Sequence, residues 1–335
     1  MVRVALFGCG RIGTVHAAAV AGHPRAELLY VCDPMETPAK ELAVRHGATA
    51  TGDIATVLGD PAVDAVVIAS PTPTHVDLLT RAVHAGKAVL CEKPIDLDLA
   101  RVDACWAGIS RLTGADAPLV MLGFNRRFDP SFREIRDRVR AGEIGRLEQV
   151  VITSRDPAPP PAGYVGTSGG LFRDMTIHDF DMARFVLGTE VAEVQATGAV
   201  LIDPAIGEAG DIDSAVVVLR GTDETLVQIT NSRRCAFGYD QRLEAFGSTG
   251  MLTAANQLPT SVRFAGAERA EATAPYLNFF LERYGPAYRA ELDHFVECVE
   301  TGAAPDPGFA DGREALVLAD AANESLRTGA VVRLR

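Results

Sequence analysis

The chain has 335 residues, a length typical of about two domains, and 47% of its residues are hydrophobic, enough for a substantial core. Its formal net charge is −12, with the acidic excess spread along the chain, which argues against nucleic acid and anionic membrane surfaces as partners. No apolar run reaches the roughly 20 residues of a membrane helix, and no basic segment precedes an apolar one at the start. We therefore predict neither a membrane span nor a signal peptide.

The six cysteines form neither a CxxC pair nor a zinc-ribbon spacing. A long chain with so few cysteines fits reduced thiols, which indicates the cytoplasm. We therefore expect a cytoplasmic protein without a metal site.

The first part of the chain alternates apolar strands with helices, the pattern of a parallel sheet with helical crossovers. The predicted strands are Val2–Phe7, Ala26–Cys32, Ala65–Ala69, Ala88–Cys91 and Leu119–Phe124. The predicted helices are Ile12–Gly22, Pro38–His46, His75–Ala85 and Asp98–Thr113. Because the pattern changes near residue 123, we predict an α/β domain with a doubly wound parallel sheet at residues 1–122 and a second domain at residues 123–335.

The second part of the chain has a different pattern, which predicts an α+β domain with a separate antiparallel sheet. It begins with a helix at Ser131–Ala141, a strand at Arg146–Ser154, a loop rich in proline and glycine at Asp156–Gly170, and a helix at Leu171–Leu187. Five strand-like runs follow in the manner of a β-meander, at Glu193–Leu201, Ser214–Arg220, Thr225–Ser232, Arg242–Phe246 and Met251–Ala254. The predicted closing helices are Ala287–Glu300 and Asp311–Ser325.

Three glycines directly after the first strand form a G-x-G-x-x-G turn that opens a helix. Gly8 permits the tight turn, Gly10 lets the backbone approach a pyrophosphate, and Gly13 lets the helix pack closely on the strand. Asp33 ends the second strand, 20 residues after Gly13, where a carboxylate can accept hydrogen bonds from ribose hydroxyls. Since that carboxylate would repel a 2′-phosphate, the sequence predicts a Rossmann domain that binds NAD rather than NADP.

Two further loops follow strands and should reach the same crevice, because ligands of such sheets bind beyond the carboxyl ends of the strands. The loop from Ser70 to His75 can contact the cofactor and also cap the next helix. In the loop Cys91-Glu92-Lys93-Pro94, the lysine either polarises a substrate oxygen or is merely solvated. We predict cofactor contacts from these loops and from the glycine turn, at Gly8, Gly10, Arg11, Ile12, Gly13, Asp33, Ser70, Thr72, His75, Glu92 and Lys93.

Asp174 and His178 lie four residues apart on a predicted helix, hence on one face. A histidine exchanges protons near neutrality and a neighbouring carboxylate can orient it, although an Asp–His pair on a helix surface can also be purely structural. Arg126 and Arg127 at the domain junction could bind ligand hydroxyls or form salt bridges between the domains. Tyr239 could belong to the core or to a substrate cleft, and we include it among the candidate substrate contacts.

These motifs occur in an order that resembles the glucose–fructose oxidoreductase and inositol dehydrogenase family (Gfo/Idh/MocA) over essentially the whole chain. The motifs are the glycine turn with Asp33, Glu92-Lys93-Pro94, Asn125-Arg126-Arg127-Phe128-Asp129, and Asp174 with His178. The nearest likeness is to the bacterial inositol 2-dehydrogenases. The resemblance implies an open, mostly antiparallel sheet in the second domain, which commonly forms the interface of dimers and tetramers. We therefore expect a homo-oligomer, and among the possible assemblies we expect a homotetramer before a dimer.

The resemblance also implies catalytic roles for Lys93, Asp174 and His178. It implies substrate contacts by Arg126 and by the segment from Ser154 to Asp156, in addition to the catalytic residues. In this segment the chain departs from some relatives, which carry histidine at the position of Ser154 and asparagine at that of Asp156.

The expected reaction is the oxidation of a secondary hydroxyl of a cyclic polyol or sugar with NAD, an inositol being the first candidate. His178 would act as the base, Asp174 would orient it, and Lys93 would stabilise charge on the carbinol oxygen. Three alternatives are another sugar or amino-sugar dehydrogenase of the same family, an NAD-dependent glycosidase, and a non-catalytic NAD sensor. The presence of all three catalytic candidates argues against the sensor.

Overall fold

The computed structural model describes residues 1–112 and 119–334 and divides the chain into two units. The first unit comprises Met1–Phe128 and Pro286–Leu316, and the second comprises Asp129–Gly285 and the chain from Val317 onward. The segment Pro286–Leu316, which follows the predicted division after residue 122, thus packs with the first unit. Gly312 shows the reason, since a Cβ there would lie within 3 Å of both Ile95 and Leu122.

The sheet of the first unit is parallel and six-stranded, with the order β3-β2-β1-β4-β5-β6. Its strands are β1 (Val2–Phe7), β2 (Ala26–Cys32), β3 (Thr49–Thr51), β4 (Ala65–Ile68), β5 (Ala88–Cys91) and β6 (Val120–Leu122). Apart from Arg3, the central strands β1 and β4 consist of apolar residues that are buried on both faces, as a sheet covered by helices on both sides requires. The predicted doubly wound sheet is therefore confirmed.

The helices of this sheet follow the strands as crossovers. They are α1 (Arg11–Ala21), α2 (Glu36–His46), α3 (Ile54–Gly59), α4 (His75–His84) and α5 (Leu99–Ile109). The sequence did not predict β3 or α3, since three and six residues are too few to show a period. Thr113, at the end of the predicted fourth helix, lies outside the described residues.

The second unit contains a seven-stranded sheet with the order β12-β11-β7-β10-β9-β8-β15 and a separate hairpin, β13-β14. The strands are β7 (Leu147–Arg155), β8 (Val191–Ala199), β9 (Ser214–Gly221), β10 (Leu226–Ser232), β11 (Asp240–Gly247), β12 (Gly250–Ala254), β13 (Arg263–Phe264), β14 (Ala272–Thr273) and β15 (Val332–Arg333). The prediction of a mostly antiparallel sheet is confirmed.

The predicted β-meander is wrong, because β7 lies between β10 and β11 and pairs with β10 in parallel. The register explains the insertion. Ile152 of β7 stands opposite Ile229 of β10 and Leu243 of β11, and all three side chains are buried. With β7 at this place, apolar side chains of three neighbouring strands form one continuous buried face.

The remaining helices are α6 (Pro130–Arg140), α7 (Ala162–Ser168), α8 (Ile177–Leu187), α9 (Pro204–Glu208), α10 (Phe280–Arg283), α11 (Gly285–Thr301) and α12 (Phe309–Thr328). Helix α7 corrects the expectation that Asp156–Gly170 is all loop. It lies between Pro161 at its N-cap and Gly169, which ends it at a φ of 84°. The predicted helix Leu171–Leu187 begins as a π-helical stretch at Phe172–Thr176 and continues as α8. Among the helices of the described chain, none combines the length and the apolar character needed to cross a bilayer.

Candidate active site

The glycine turn of the first unit has the geometry that a nucleotide phosphate requires. Gly8 has a φ of 98°, and a Cβ there would lie 2.6 Å from the backbone nitrogen of Ser70. A Cβ at Gly13 would overlap the carbonyl oxygen of Gly8, so α1 can pack this closely only with glycine there. A Cβ at Gly10, in contrast, would meet nothing within 4 Å. The open space lies at the N-terminus of α1, and the N-terminus of a helix is suited to bind an anion.

Asp33, directly after β2, accepts one backbone hydrogen bond at each carboxylate oxygen. Oδ2 accepts from the N–H of Cys9 and Oδ1 from the N–H of Met35, both at 2.8 Å. Each oxygen retains a second lone pair for a ribose hydroxyl. Burial and the charge of Asp33 raise the pKa of the Cys9 thiol to about 12, so this side chain of the turn stays neutral beside a pyrophosphate.

The order of the strands places the predicted cofactor residues along one edge of the sheet. Asp33 follows β2, Gly8 follows β1, Ser70 follows β4 by two residues and Lys93 follows β5 by two. These four strands are neighbours, so the edge extends over three strand spacings, about 14 Å. This edge is the place where doubly wound sheets bind dinucleotides, and the residues present fit NAD.

The loop after β4 is held by its own side chains and by His75. The Ser70 hydroxyl lies 2.6 Å from the hydroxyl of Thr74, which donates to the carbonyl of Pro71. The ring of His75 is buried, with Nδ1 2.8 Å from the carbonyl oxygen of Pro94 and Nε2 2.8 Å from that of Ser70. Both ring nitrogens thus face backbone atoms. The ring joins the two loops, a geometry that does not favour the predicted cofactor contact.

Glu92 also points into the first unit. Its Oε1 lies 2.8 Å from Nε2 of His16, and its Oε2 accepts the backbone N–H of Lys93 at 3.3 Å. Both Glu92 and His16 are buried. The geometry therefore favours a structural role for Glu92, which holds the backbone of the half-buried Lys93. It does not favour the predicted contact of Glu92 with the cofactor.

In the second unit, Asp174 lies on the π-helical stretch and His178 in the first turn of α8. Both oxygens of the Asp174 carboxylate are held. Oδ1 accepts from the hydroxyl of Tyr164 on α7 at 3.0 Å, and Oδ2 lies 3.4 Å from both terminal nitrogens of Arg233. A π-helical turn inside a helix frequently marks a functional site.

Arg233 is the residue that reasoning from the sequence missed. It follows β10, is 1% exposed, and lies between the carboxylates of Asp174 and Asp211. The signal for it was present, because Asn231, Ser232, Arg233 and Arg234 follow one another at the end of a predicted strand. An arginine so placed looks exposed in the sequence, and only the tertiary structure buries it.

The helix that carries Asp174 and His178 is tied to the sheet by buried polar side chains. The Thr176 hydroxyl donates to Asn231 of β10 at 2.7 Å. Asp179 accepts from Asn231 at 2.7 Å and from the hydroxyl of Ser154 on β7 at 2.6 Å. These bonds fix the rotation of the helix and thus the face that its other residues present.

These contacts correct the expectation that Ser154 meets the substrate, because its side chain is buried and bonded to Asp179. Asp156 is half-buried, and its backbone N–H donates to the carbonyl of Ser232 at 2.9 Å. Its predicted substrate contact stays a prediction.

The two junction arginines differ. Arg127 pairs with Asp306 at 2.5 Å and with Asp311 at 2.9 Å, and all three residues belong to the first unit, so its role is structural. Arg126 is buried as well, and its substrate contact stays a prediction. The substrate contact of Tyr239 also stays a prediction. This side chain is buried, and its ring lies edge-on to the rings of Phe279 and Tyr284.

Two family models match the chain in the order of its two sheets. The model described as an oxidoreductase family with an NAD-binding Rossmann fold matches residues 2–111. The model of the GFO/IDH/MocA C-terminal domain matches residues 132–253. The parallel sheet, the glycine turn and Asp33 therefore belong to an NAD-dependent oxidoreductase.

Similarity over the full length narrows this class to one family. An inositol 2-dehydrogenase of Rhizobium meliloti is 49% identical over 97% of each chain. A myo-inositol 2-dehydrogenase of Thermotoga maritima is 45% identical over 99% of this chain and 98% of its own. The crystal structure of a myo-inositol dehydrogenase from Corynebacterium glutamicum superposes with a TM-score of 0.95 at 52% identity, covering 100% of this chain and 99% of that one. The chain belongs to the Gfo/Idh/MocA family of oxidoreductases.

Proposed function

We propose that the chain is an NAD-dependent inositol 2-dehydrogenase, which oxidises one secondary hydroxyl of a cyclic polyol to a ketone. Myo-inositol is the first substrate to test, since the similar proteins described above carry inositol dehydrogenase names. The single observation that carries the proposal is the Asp174 carboxylate, held at both oxygens four residues before His178. A carboxylate that is fixed about one helical turn before a histidine can orient it for the removal of a proton from an alcohol.

The proposed chemistry is divided among three side chains. His178 accepts the proton of the substrate hydroxyl, because an imidazole exchanges protons near neutral pH. Asp174 orients His178 and stabilises its protonated form. Lys93 donates a hydrogen bond to the carbinol oxygen and stabilises the negative charge that develops there. Bound NAD supplies the hydride acceptor.

Other polar side chains are proposed to hold the ring hydroxyls of the substrate. They are Arg126 and Tyr239, which are buried, and Asp156, which is half-buried. A guanidinium, a phenol and a carboxylate together offer both donors and acceptors, as a polyol requires. The choice among inositol isomers depends on where these groups stand around the ring.

The experiment is a panel of inositol isomers, sugars and amino sugars, each with NAD or NADP, in which the absorbance of the reduced cofactor is followed. We expect an inositol to reduce NAD, and a much slower reaction with NADP because Asp33 repels a 2′-phosphate. Net accumulation of NADH from a free polyol would separate a dehydrogenase from an NAD-dependent glycosidase and from a sensor. No reduction with any inositol would contradict the proposal, and equal rates with NADP would contradict the role of Asp33.

The assembly that we propose is a homotetramer formed through the open face of the second sheet. This face exposes apolar side chains from four strands: Val216, Val218, Leu226, Phe246 and Met251, which are 40–54% exposed. The strand registers put all five on the face opposite the buried one. Such a patch is typical of a protein interface. A cytoplasmic location is proposed from the six unpaired cysteines.

A further inference from the structure

Arg233 is a buried charged residue of the second unit to which the proposed reaction gives no role. Arg233 is 1% exposed, and its backbone N–H donates to the carbonyl of Asp213 at 2.8 Å. Its terminal nitrogens contact Asp174 Oδ2 at 3.4 Å, and one of them lies 3.8 Å from Asp211 Oδ2. Its Nε, also buried, has no hydrogen-bond partner within the described ranges. A buried guanidinium that is only partly bonded needs an explanation other than stability.

Asp211 is as firmly placed as Arg233. Its Oδ1 accepts the backbone N–H of Leu171 at 3.0 Å, and a Cβ at Gly170 would come within 2.8 Å of the same oxygen. Asp211 therefore holds the start of the helical segment on which Asp174 lies. The group Asp211–Arg233–Asp174 joins three separate stretches of the chain, before β9, after β10 and before α8.

The charges of this group have a direct consequence for His178. A guanidinium paired with Asp174 alone would cancel the negative charge that Asp174 can offer to a protonated imidazole. With Asp211 the group keeps one negative charge in excess. Burial weakens the screening of that charge by water, so it acts on groups close by.

Three other charged residues of these chain segments, Arg173, Asp179 and Asp213, have partners of their own. Tyr164 of α7 donates to the other oxygen of Asp174, Oδ1, and Arg173, the neighbour of Asp174 in the chain, pairs with Asp320. Although burial opposes it, the backbone N–H groups of residues 201, 203 and 202 hold the pKa of Asp213 below its usual range. Asp179, next to His178, is bonded to Ser154 and Asn231. Arg233 thus contacts Asp174, and Asp211 is the second carboxylate that contacts Arg233.

We propose that Arg233 and Asp211 are positioning residues of the Asp174–His178 pair, an inference that rests on the proposed function. Arg233 fixes the orientation of the Asp174 carboxylate. Asp211 offsets the charge of Arg233, so that net negative charge remains beside His178 when it takes up the substrate proton. The two residues act through Asp174 and touch neither substrate nor cofactor.

The test compares Asp211→Asn with Arg233→Gln, because these changes alter the local charge in opposite directions. Two midpoints are measured. The first is the pH at which kcat/KM for an inositol falls to half on the acid side, and the second is the midpoint of the titration of His178. The second is followed by NMR of histidine-labelled protein, with His178→Gln to assign the signal. We expect Asp211→Asn to lower both midpoints by about one pH unit, a tenfold change in proton affinity, and Arg233→Gln to raise both.

Matched controls separate charge from folding. Arg234→Gln changes the exposed neighbouring arginine and should leave both midpoints unchanged. Arg233→Lys keeps the charge and should stay within a few tenths of a unit of the wild type, while the double variant Asp211→Asn with Arg233→Gln should return toward it. Shifts in the same direction, or no shift in folded protein, would overturn the proposal. If Arg233→Gln does not fold, the shift in Asp211→Asn alone decides.

The proposed function and this inference can fail separately. A wild-type protein that reduces NAD with no polyol contradicts the function, while the NMR titration still measures the effect of Arg233 and Asp211 on His178. An active enzyme whose midpoints do not move in Asp211→Asn contradicts only the inference.

Discussion

At the scale of single residues, His178 and Asp174 have different roles in the proposed reaction. Asp174 is bonded at one carboxylate oxygen by Tyr164 and contacted at the other by Arg233. His178 lies on the first turn of α8 and is half-buried, so part of this residue remains accessible. A base that exchanges protons with a substrate must keep this access, whereas the carboxylate that orients it benefits from being fixed.

Replacing His178 by alanine should slow hydride transfer by about 10²- to 10⁴-fold, because the alcohol loses its proton acceptor. The affinity for NAD should barely change, since the glycine turn and Asp33 lie elsewhere in the chain. Single-turnover formation of NADH and a separate NAD titration measure the two quantities. His84→Ala, at an exposed position of α4, serves as the control. Wild-type single-turnover rates in His178→Ala would rule out its role as the base.

Glu291 is an ionisable residue buried in the core of the first unit. The carboxyl of this α11 residue is fully buried, and neither oxygen has a hydrogen-bond partner in the part of the chain that the structure describes. Burial first, and the charge of Glu92 second, raise its pKa well above the usual range. The folded state therefore favours the protonated form of Glu291. The stability that this provides is fully present below the pKa of the unfolded chain and is lost as the pH rises toward the folded value.

Glu291→Gln, which keeps the shape and removes the titration, should flatten this dependence on pH. Above the usual pKa range of a glutamate, the free energy of unfolding of the wild type should fall relative to that of the variant as the pH rises, by up to about 1.4 kcal/mol per pH unit. Urea unfolding at several pH values measures the difference. Glu297→Gln, an exposed site on the same helix, should follow the wild type. Parallel curves for wild type and Glu291→Gln would contradict the assignment.

At the scale of elements, the first residue of α4 contacts two loops at the edge of the first sheet where the cofactor site lies. His75, its first residue, reaches the carbonyl of Ser70 after β4 and that of Pro94 after β5. Lys93 lies between Glu92, which accepts its backbone N–H, and Pro94. The position of the proposed catalytic lysine therefore depends on a ring at the end of a different helix.

His75→Ala should destabilise the protein by about 1–3 kcal/mol, because the loops lose the buried ring that contacts a carbonyl group of each and donates a hydrogen bond to one of them. It should also weaken NAD binding, since both loops belong to the edge that receives the cofactor. Urea unfolding and NAD titration give the two values, with His84→Ala at the exposed end of the same helix as the control. A variant as stable as that control would show that the ring does not hold the loops.

Elements with a clear period were predicted from the sequence almost to the residue. Strands β1, β2 and β5 have the predicted bounds, because an apolar run between turn residues leaves little freedom. Helix α7 and the π-helical stretch before α8 were not predicted. The first is a short helix in a segment rich in proline and glycine, and the second depends on packing, since a sequence with helical spacing fits either helix type.

At the scale of the whole molecule, the open face of the second sheet bears on assembly. The five exposed apolar side chains of this face lie on strands β9 to β12, and their partners across the strands are polar or exposed as well. A face of this kind is costly in water unless a second copy covers it.

Placing a charge on this face should therefore break the proposed homotetramer. Phe246→Glu combined with Val218→Glu should yield smaller species, measured by light scattering after gel filtration. Val44→Glu, which changes an exposed apolar residue of the first unit, is the control and should leave the mass unchanged. A wild-type protein that is monomeric would contradict the proposed assembly, and a dimer would limit the face to one interface.

The sequence by itself determined the nucleotide site and the alternation of elements that builds it. Gly8, Gly10, Gly13 and Asp33 act through the backbone and through neighbouring strands, so spacing along the chain is enough to identify them. Lys93, Asp174 and His178 were also found by spacing, although their roles remain proposals.

Only the tertiary structure decided which polar side chains are committed to one another. Ser154, Glu92 and His75 looked available in the sequence, and the fold buries each against a partner that is distant along the chain. Arg233 was not among the predicted site residues, and the fold places it between two carboxylates. The physical reason is that hydrogen bonds and charges act over a few ångströms in space, whereas the sequence records only order along the chain.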